Sequence, residues 1–178
     1  MSISRPDCIP RIMNLIWETN PKSILDVGVG FGGIGVLFRE VTDIRWGRMK
    51  EWHTVIHGIE INQAYRNPIW DFVYDDVIIG NALDKLPIMP IQYDIIYLGD
   101  ILEHLEKKEA LELLRRAIDK STGYVVISTP VDFHQNKSEA ERFNNRFEEH
   151  KCVLEDNDFP KGSIIEQYKN QKLVIIKK

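Results

Sequence analysis

The chain has only two cysteines among 178 residues, Cys8 and Cys152. They lie far apart and lack metal-clip spacing, so a disulfide framework and a cysteine-based metal site are both unexpected; a reducing, cytoplasmic setting is the simplest expectation. No apolar run approaches the roughly 20 residues that cross a bilayer, and no signal-type apolar region follows Met1. A basic excess is missing too. The 23 Lys and Arg against 27 Asp and Glu leave a net charge of −4, which offers no general grip on nucleic acid or an anionic membrane. Repeats, low-complexity tracts and linkers are absent. What remains, 43% hydrophobic and 28% charged, is an ordinary globule able to fill its own core, and one domain over residues 1–178 is expected.

Periodicity divides the chain into alternating elements. Asp7–Asn20 reads as an N-terminal helix (within 1–20) with Ile12, Leu15 and Ile16 on one face and Asp7 as its cap; Asn20-Pro21 ends it. Ser23–Gly28 is an apolar, partly β-branched run closed by glycine, hence a buried strand. Phe31–Val41 follows with helical spacing at Ile34, Leu37, Phe38 and Val41. Further strands are predicted over Thr54–Glu60, Asp76–Gly80, Tyr93–Leu98 and Gly123–Thr129. Ile101–Lys120 is the clearest helix, with Asp100 and Glu103 resembling a capping box. Strands alternating with helices imply right-handed crossovers and a doubly wound, mostly parallel α/β sheet. Ser163–Tyr168 and Lys172–Lys177 are too close for a helical crossover, so they must form a C-terminal antiparallel hairpin, completing seven strands.

The strongest local signal is Asp26-Val27-Gly28-Val29-Gly30-Phe31-Gly32-Gly33, a strand running through closely spaced glycines into a helix. Such glycines let the backbone turn sharply and approach a ligand where a Cβ would collide. No Lys-Ser/Thr follows, which excludes a P-loop. Gly28, Gly30 and Gly33 also satisfy G-x-G-x-x-G, so a nicotinamide or flavin dinucleotide competes for the site. Asp26 leans the other way, toward a ligand carrying positive charge, since a carboxylate there repels a pyrophosphate. Glu60, ending His57-Gly58-Ile59-Glu60-Ile61, is an acid at a strand tip suited to both ribose hydroxyls of an adenosine. Asn81-Ala82 ends the third strand, where a short polar side chain can face an adenine edge. Gly99 and Asp100 close the fourth strand, at the carboxyl end where open α/β sheets bind ligands. His104, on the following helix, reads equally as a structural or a reactive histidine. Residues 43–53, with Trp46 and Trp52, form an insertion ahead of the second strand.

Taken together and in this order, these blocks resemble the class I methyltransferase family. Asp26–Gly32 looks like its D-x-G-x-G-x-G motif, Glu60 its ribose-binding acid, Asn81-Ala82 its Asp-Ala pair beside adenine, and Tyr93–Leu105 its fourth-strand block. Tyr124–Pro130 is similar to its fifth strand, and the terminal hairpin matches its antiparallel seventh. The resemblance implies a Rossmann-like fold and S-adenosyl-L-methionine as cofactor, held by Asp26, Gly28, Val29, Gly30, Gly33, Glu60, Ile61, Asn81, Ala82, Gly99 and Asp100. It departs at Asn81, where aspartate is usual. Asn145–His150 looks like an N-x-Y-E-x-H segment of some small members, without the serine and tryptophan that tend to follow.

The activity so implied is methyl transfer to an acceptor. Residues 131–159 are the natural acceptor-facing element and the 43–53 insertion its competitor. Candidate catalytic residues are His104, Asp100 and His150, with Tyr97 and His134 also within reach of the expected site; no metal is expected. With little chain beyond the core, a small acceptor, or one presented by a partner, is favoured. The lack of an Asn/Asp-Pro-Pro-Tyr block weighs against methylation of nucleic-acid bases. The alternatives are a nicotinamide-dependent oxidoreductase, which fits the C-terminal hairpin poorly, and a non-catalytic methyltransferase-like subunit.

Overall fold

The computed structural model describes residues 6–49, 51–132 and 145–178. Seven strands form one sheet: β1 (Ser23–Val27), β2 (Val55–Glu60), β3 (Asp76–Ile79), β4 (Tyr93–Gly99), β5 (Ser121–Pro130), β6 (Ile164–Tyr168) and β7 (Gln171–Lys177). Their order is β3-β2-β1-β4-β5-β7-β6. The first five are parallel, while β7 runs antiparallel to both β5 and β6. The seven-stranded α/β architecture with its terminal hairpin is therefore the one expected. The hairpin turns at Lys169, whose φ of +51° lies in the left-handed region.

Five α-helices accompany the sheet: α1 (Ile9–Thr19), α2 (Gly33–Thr42), α3 (Pro68–Val73), α4 (Ala82–Lys85) and α5 (Lys107–Lys120). Alternation along the strands sends side chains into two cores, one on each face. Leu25, Val27, Ile96, Leu98, Val125 and Ile127 meet Leu113, Leu114 and Ala117 of α5. Ile24, Ile95, Tyr97 and Val126 meet Ile12 and Ile16 of α1, Phe38 of α2, and Trp70 and Val73 of α3. Every residue of β1 is buried, as expected for a central parallel strand covered on both faces. Among the described residues no helix is long and apolar enough to cross a membrane.

Several local expectations need correction. The stretch Ile101–Lys120 is not one helix: Leu102–His104 makes a 3-10 turn, and α5 begins at Lys107 under a capping box formed by Glu106 and Glu109. Asp100 caps nothing there. Its φ is +50°, and its N–H is drawn to the Ser128 carbonyl of β5 at 2.8 Å, so tertiary pairing diverts the chain before a helix can start. Asp7 does not cap α1 either, because Cys8 holds the N-cap position without a side-chain bond and Asp7 instead pairs with Lys169 Nζ at 3.1 Å. The short helices α3 and α4 carry too few residues to leave a periodic signal.

The strand order reverses between β1 and β4, since the chain passes from β3 across to the other side of β1. That reversal opens a crevice at the carboxyl ends of the strands, where ligands sit in folds of this kind. Residues 43–53 lie at the other end, because they feed into the start of β2. They are anchored by Arg39, whose guanidinium is fully buried against Asp43 (2.9 Å), the Thr54 carbonyl (2.7 Å) and the Val73 carbonyl (2.7 Å).

Candidate functional site at the carboxyl end of the sheet

The glycine turn after β1 is built by backbone conformation. Gly28, Gly30 and Gly32 all have positive φ (+89°, +54° and +85°), a region that an L side chain enters only under strain. The Gly28 N–H bonds the Ile59 carbonyl of β2 at 2.8 Å, which brings the turn alongside the next strand tip. There the Gly30 N–H donates to Glu60 Oε2 at 2.8 Å, while the Asn62 N–H donates to Oε1, also at 2.8 Å. Glu60 is thus clamped between two loops. Burial pushes its carboxyl above the usual range, and the two N–H groups oppose that shift. The Ile61 N–H also reaches this carboxylate; of the roughly four acceptor positions a carboxylate offers, one stays open for a ligand.

Gly28, Glu60, Ile61, Asn81, Ala82 and His104 line one pocket over Ile59, Ile101 and Leu105. Asn81 caps α4, its Oδ1 accepting the Leu83 N–H at 2.9 Å, so its amide nitrogen is the atom left to recognise an acceptor edge. Tyr65, Asn145, Phe147 and Glu148 complete the wall. The Tyr65 hydroxyl donates to Glu148 Oε1 at 2.8 Å and accepts from Asn145 Nδ2 at 2.8 Å, which ties residues 145–148 to the loop after β2. Burial, assisted by the Glu148 charge, pushes the Tyr65 phenol up to about 12.

Other predicted residues lie off this wall. Val29 and Gly30 belong to the turn beneath it and Gly33 opens α2. Asp26 is fully buried under the turn. Its Oδ2 accepts the Tyr74 hydroxyl at 2.6 Å, and its Oδ1 has no hydrogen-bond partner. Burial chiefly, with the Glu60 charge adding and the Tyr74 bond opposing, pushes the Asp26 carboxyl up to about 7. Gly99 and Asp100 close β4 outside the pocket lining, and Asp100 Oδ1 accepts from Ser128 Oγ at 3.3 Å and from Gln171 Nε2. Tyr97 points into the opposite core, edge-on to Phe38 at 5.6 Å; the period of two in β4 carries it away from the pocket. His134 lies outside the described residues.

His104 and His150 meet each other, their ring centroids 4.9 Å apart. Burial lowers the His104 pKa, and proximity to His150 lowers it further. Of the described part of residues 131–159, Cys152, Leu154 and Phe159 sink into the core, while Asn145, Phe147 and Glu148 line the pocket. Tyr65 carried no distinctive local signal, Asn145 and Glu148 stood out only within the Asn145–His150 resemblance, and Glu103 only as a helix cap. They join the site only through contacts between segments such as Tyr65 and Glu148, which are 83 positions apart.

No protein-family model matches the chain, and no curated protein matches it in sequence. Solved structures do. The chain is similar to a SAM dependent methyltransferase from Archaeoglobus fulgidus, with a TM-score of 0.63 and 15% identity over 96% of this chain and 94% of that one. It is similar to magnesium protoporphyrin IX methyltransferase from Synechocystis PCC 6803 with bound SAH, with a TM-score of 0.64 and 10% identity over 95% and 81% of the two chains. A third is an O-methyltransferase family protein from Burkholderia thailandensis, with a TM-score of 0.60 and 12% identity, covering 94% of this chain and 56% of that one. The fold is that of class I methyltransferases.

Proposed function

We propose that the protein is an S-adenosyl-L-methionine-dependent methyltransferase acting on a small acceptor. The observation that carries this reading is the clamped Glu60. A glycine turn with three positive φ angles holds a strand-tip carboxylate by the Gly30 N–H, on the wall of a pocket shared with Asn81 and Ala82. Those residues fit an adenosine: Glu60 keeps an acceptor position for a ribose hydroxyl, and the Asn81 amide supplies a donor for a purine edge. Beneath the turn, the unpartnered Asp26 Oδ1 leaves a carboxylate whose ionised form a positively charged ligand favours. Bound there, the cofactor supplies a methyl group already activated by its sulfonium. The chain's own part is to orient donor and acceptor and to keep water out. Residues 145–148, fastened to Tyr65, cover the pocket and fit that second task, and His104 on the pocket wall faces the acceptor side.

Two measurements, cofactor binding and acceptor turnover, separate the three rivals. Isothermal titration calorimetry should show S-adenosylhomocysteine and S-adenosylmethionine binding, with no heat from NAD or NADP. Binding of NAD without any response to S-adenosylmethionine would hand the site to an oxidoreductase. A cofactor-binding chain that turns over no acceptor, in a broad screen of small hydroxyl, thiol and amine compounds, would leave the non-catalytic subunit as the reading.

A further inference from the structure

Three potential ligands from two separate segments converge beside this pocket. Glu103, His104 and His150 each bring one ligand atom within 4.8 Å of the other two. Backbone bonds hold the segments together: the N–H groups of Lys151 and Cys152 donate to the Glu103 carbonyl at 2.7 and 3.2 Å. His150, next along the chain from Lys151, is therefore placed by the main chain rather than by a flexible side chain.

The protonation of His104 can be read from its partner. Its Nδ1 lies 3.2 Å from the Glu149 carbonyl oxygen, which can only accept. Nδ1 carries the proton in that bond, and in the neutral tautomer so fixed Nε2 is the atom that would meet a ligand. A second-atom bond to a backbone carbonyl is the usual arrangement of a metal-ligating histidine. Glu103 is 2% exposed, and its carboxylate accepts from its own backbone N–H and, at 3.4 Å, from the Thr129 hydroxyl. A buried carboxylate set beside two imidazoles is costly by itself and favourable around a cation.

We propose that Glu103, His104 and His150 bind a divalent first-row transition-metal ion of the Mn2+, Fe2+, Co2+ or Zn2+ class in the pocket wall. One carboxylate with two imidazoles is a nitrogen-and-oxygen set that suits these ions better than Mg2+ or Ca2+, and three protein ligands leave coordination positions open. The sequence offered no such expectation, because the ligands come from segments 46 residues apart (104 to 150) with no metal-site spacing. The ion's role, though not the site, rests on the methyltransferase reading: on the acceptor side it would orient and polarise an oxygen of the acceptor.

The test uses the full chain, dialysed against chelator, then titrated with Co2+ by calorimetry and visible absorption. S-adenosylhomocysteine affinity is measured on the same samples. One Co2+ per chain is expected, with Mg2+ far weaker. His150→Ala and Glu103→Gln should each weaken Co2+ binding by about 100-fold or more while His150→Ala leaves S-adenosylhomocysteine affinity unchanged. Should the buried Glu103→Gln fail to fold, the half-buried His150→Ala carries the test. A wild-type chain that takes up no Co2+, or variants that bind it equally well, overturns the site. Co2+ binding without S-adenosylhomocysteine binding would keep the site and remove the methyltransferase reading; the reverse would remove the site alone.

Discussion

Replacing Asp26 by asparagine should change how the stability of this protein depends on pH. Asp26 is fully buried, has one hydroxyl partner, and titrates near 7 instead of 3.8. Because its folded pKa is raised, the folded state binds more protons than the unfolded chain between those two values. Stability is then greatest at low pH and falls as pH rises through about 4 to 7. Integrating the linkage for one group titrating near 7 when folded and 3.8 when unfolded places about 2.5 kcal/mol of that loss between pH 5 and pH 8. Asparagine has no charge to lose over this range, and its Oδ1 can still accept the Tyr74 hydroxyl. Its Nδ2 replaces the unpartnered oxygen and carries a roughly constant cost of about 1–3 kcal/mol. Glu60 and Glu103 are also raised by burial; Glu103 acts on both proteins alike, while Glu60 is coupled to Asp26, so the difference between variant and wild type reports Asp26 together with that coupling. Urea unfolding followed by tryptophan fluorescence at pH 5 and pH 8, with unchanged m-values, measures it. The Asp26→Asn protein should gain about 2.5 kcal/mol relative to wild type on going from pH 5 to pH 8. Parallel pH profiles would refute the reasoning, showing that the carboxyl ionises in the fold without penalty.

Three other perturbations test the architecture. Gly35→Ala would put a Cβ 2.2 Å from the Tyr74 hydroxyl and 2.8 Å from Val73 Cγ1; thermal melts should report a loss of about 1–3 kcal/mol as Tyr74 is pushed off Asp26. Asp43→Ala strips the fully buried Arg39 of its closest carboxylate, at 2.9 Å. Urea unfolding should show about 3–5 kcal/mol lost, and a loss under 1 kcal/mol would mean the Val73 and Thr54 carbonyls suffice. Glu60→Ala should cost about 1–3 kcal/mol of S-adenosylhomocysteine affinity by calorimetry, together with a lower melting temperature because the Gly30 and Asn62 N–H groups lose their shared acceptor. Unchanged affinity would mean the carboxylate serves only the two loops.

Much of the fold was legible because its signals are local. β1 is a run of apolar residues closed by glycine, and its full burial follows from having a strand on either side. The hairpin followed from chain length alone, since so few residues between β6 and β7 cannot make a crossover. Helix starts were less legible. Asp100 with Glu103 and Glu106 with Glu109 are both acid pairs at capping spacing, and nothing local says which one caps. The bond from the Asp100 N–H to Ser128 in β5 decided in favour of the second pair.

The candidate site divides along the same line. The glycine turn, the acid at the tip of β2 and the short polar residue after β3 each sit in a contiguous segment, so residue type and spacing suffice to place them at one end of a parallel sheet. The sequence by itself determined that sheet, its terminal hairpin and the strand tips where a ligand would sit, because hydrophobic period and connection length are short-range constraints. Only the tertiary structure decided that Asp26 lies buried beneath the turn with one oxygen unpartnered, that Tyr97 faces away, and that the described part of the 43–53 insertion leads into the start of β2. It alone brought Glu148 to Tyr65 and His150 to Glu103 and His104. Such pairings depend on how the chain closes long loops over the sheet, and the energy that selects them comes from burial and backbone hydrogen bonds between segments that share no local pattern.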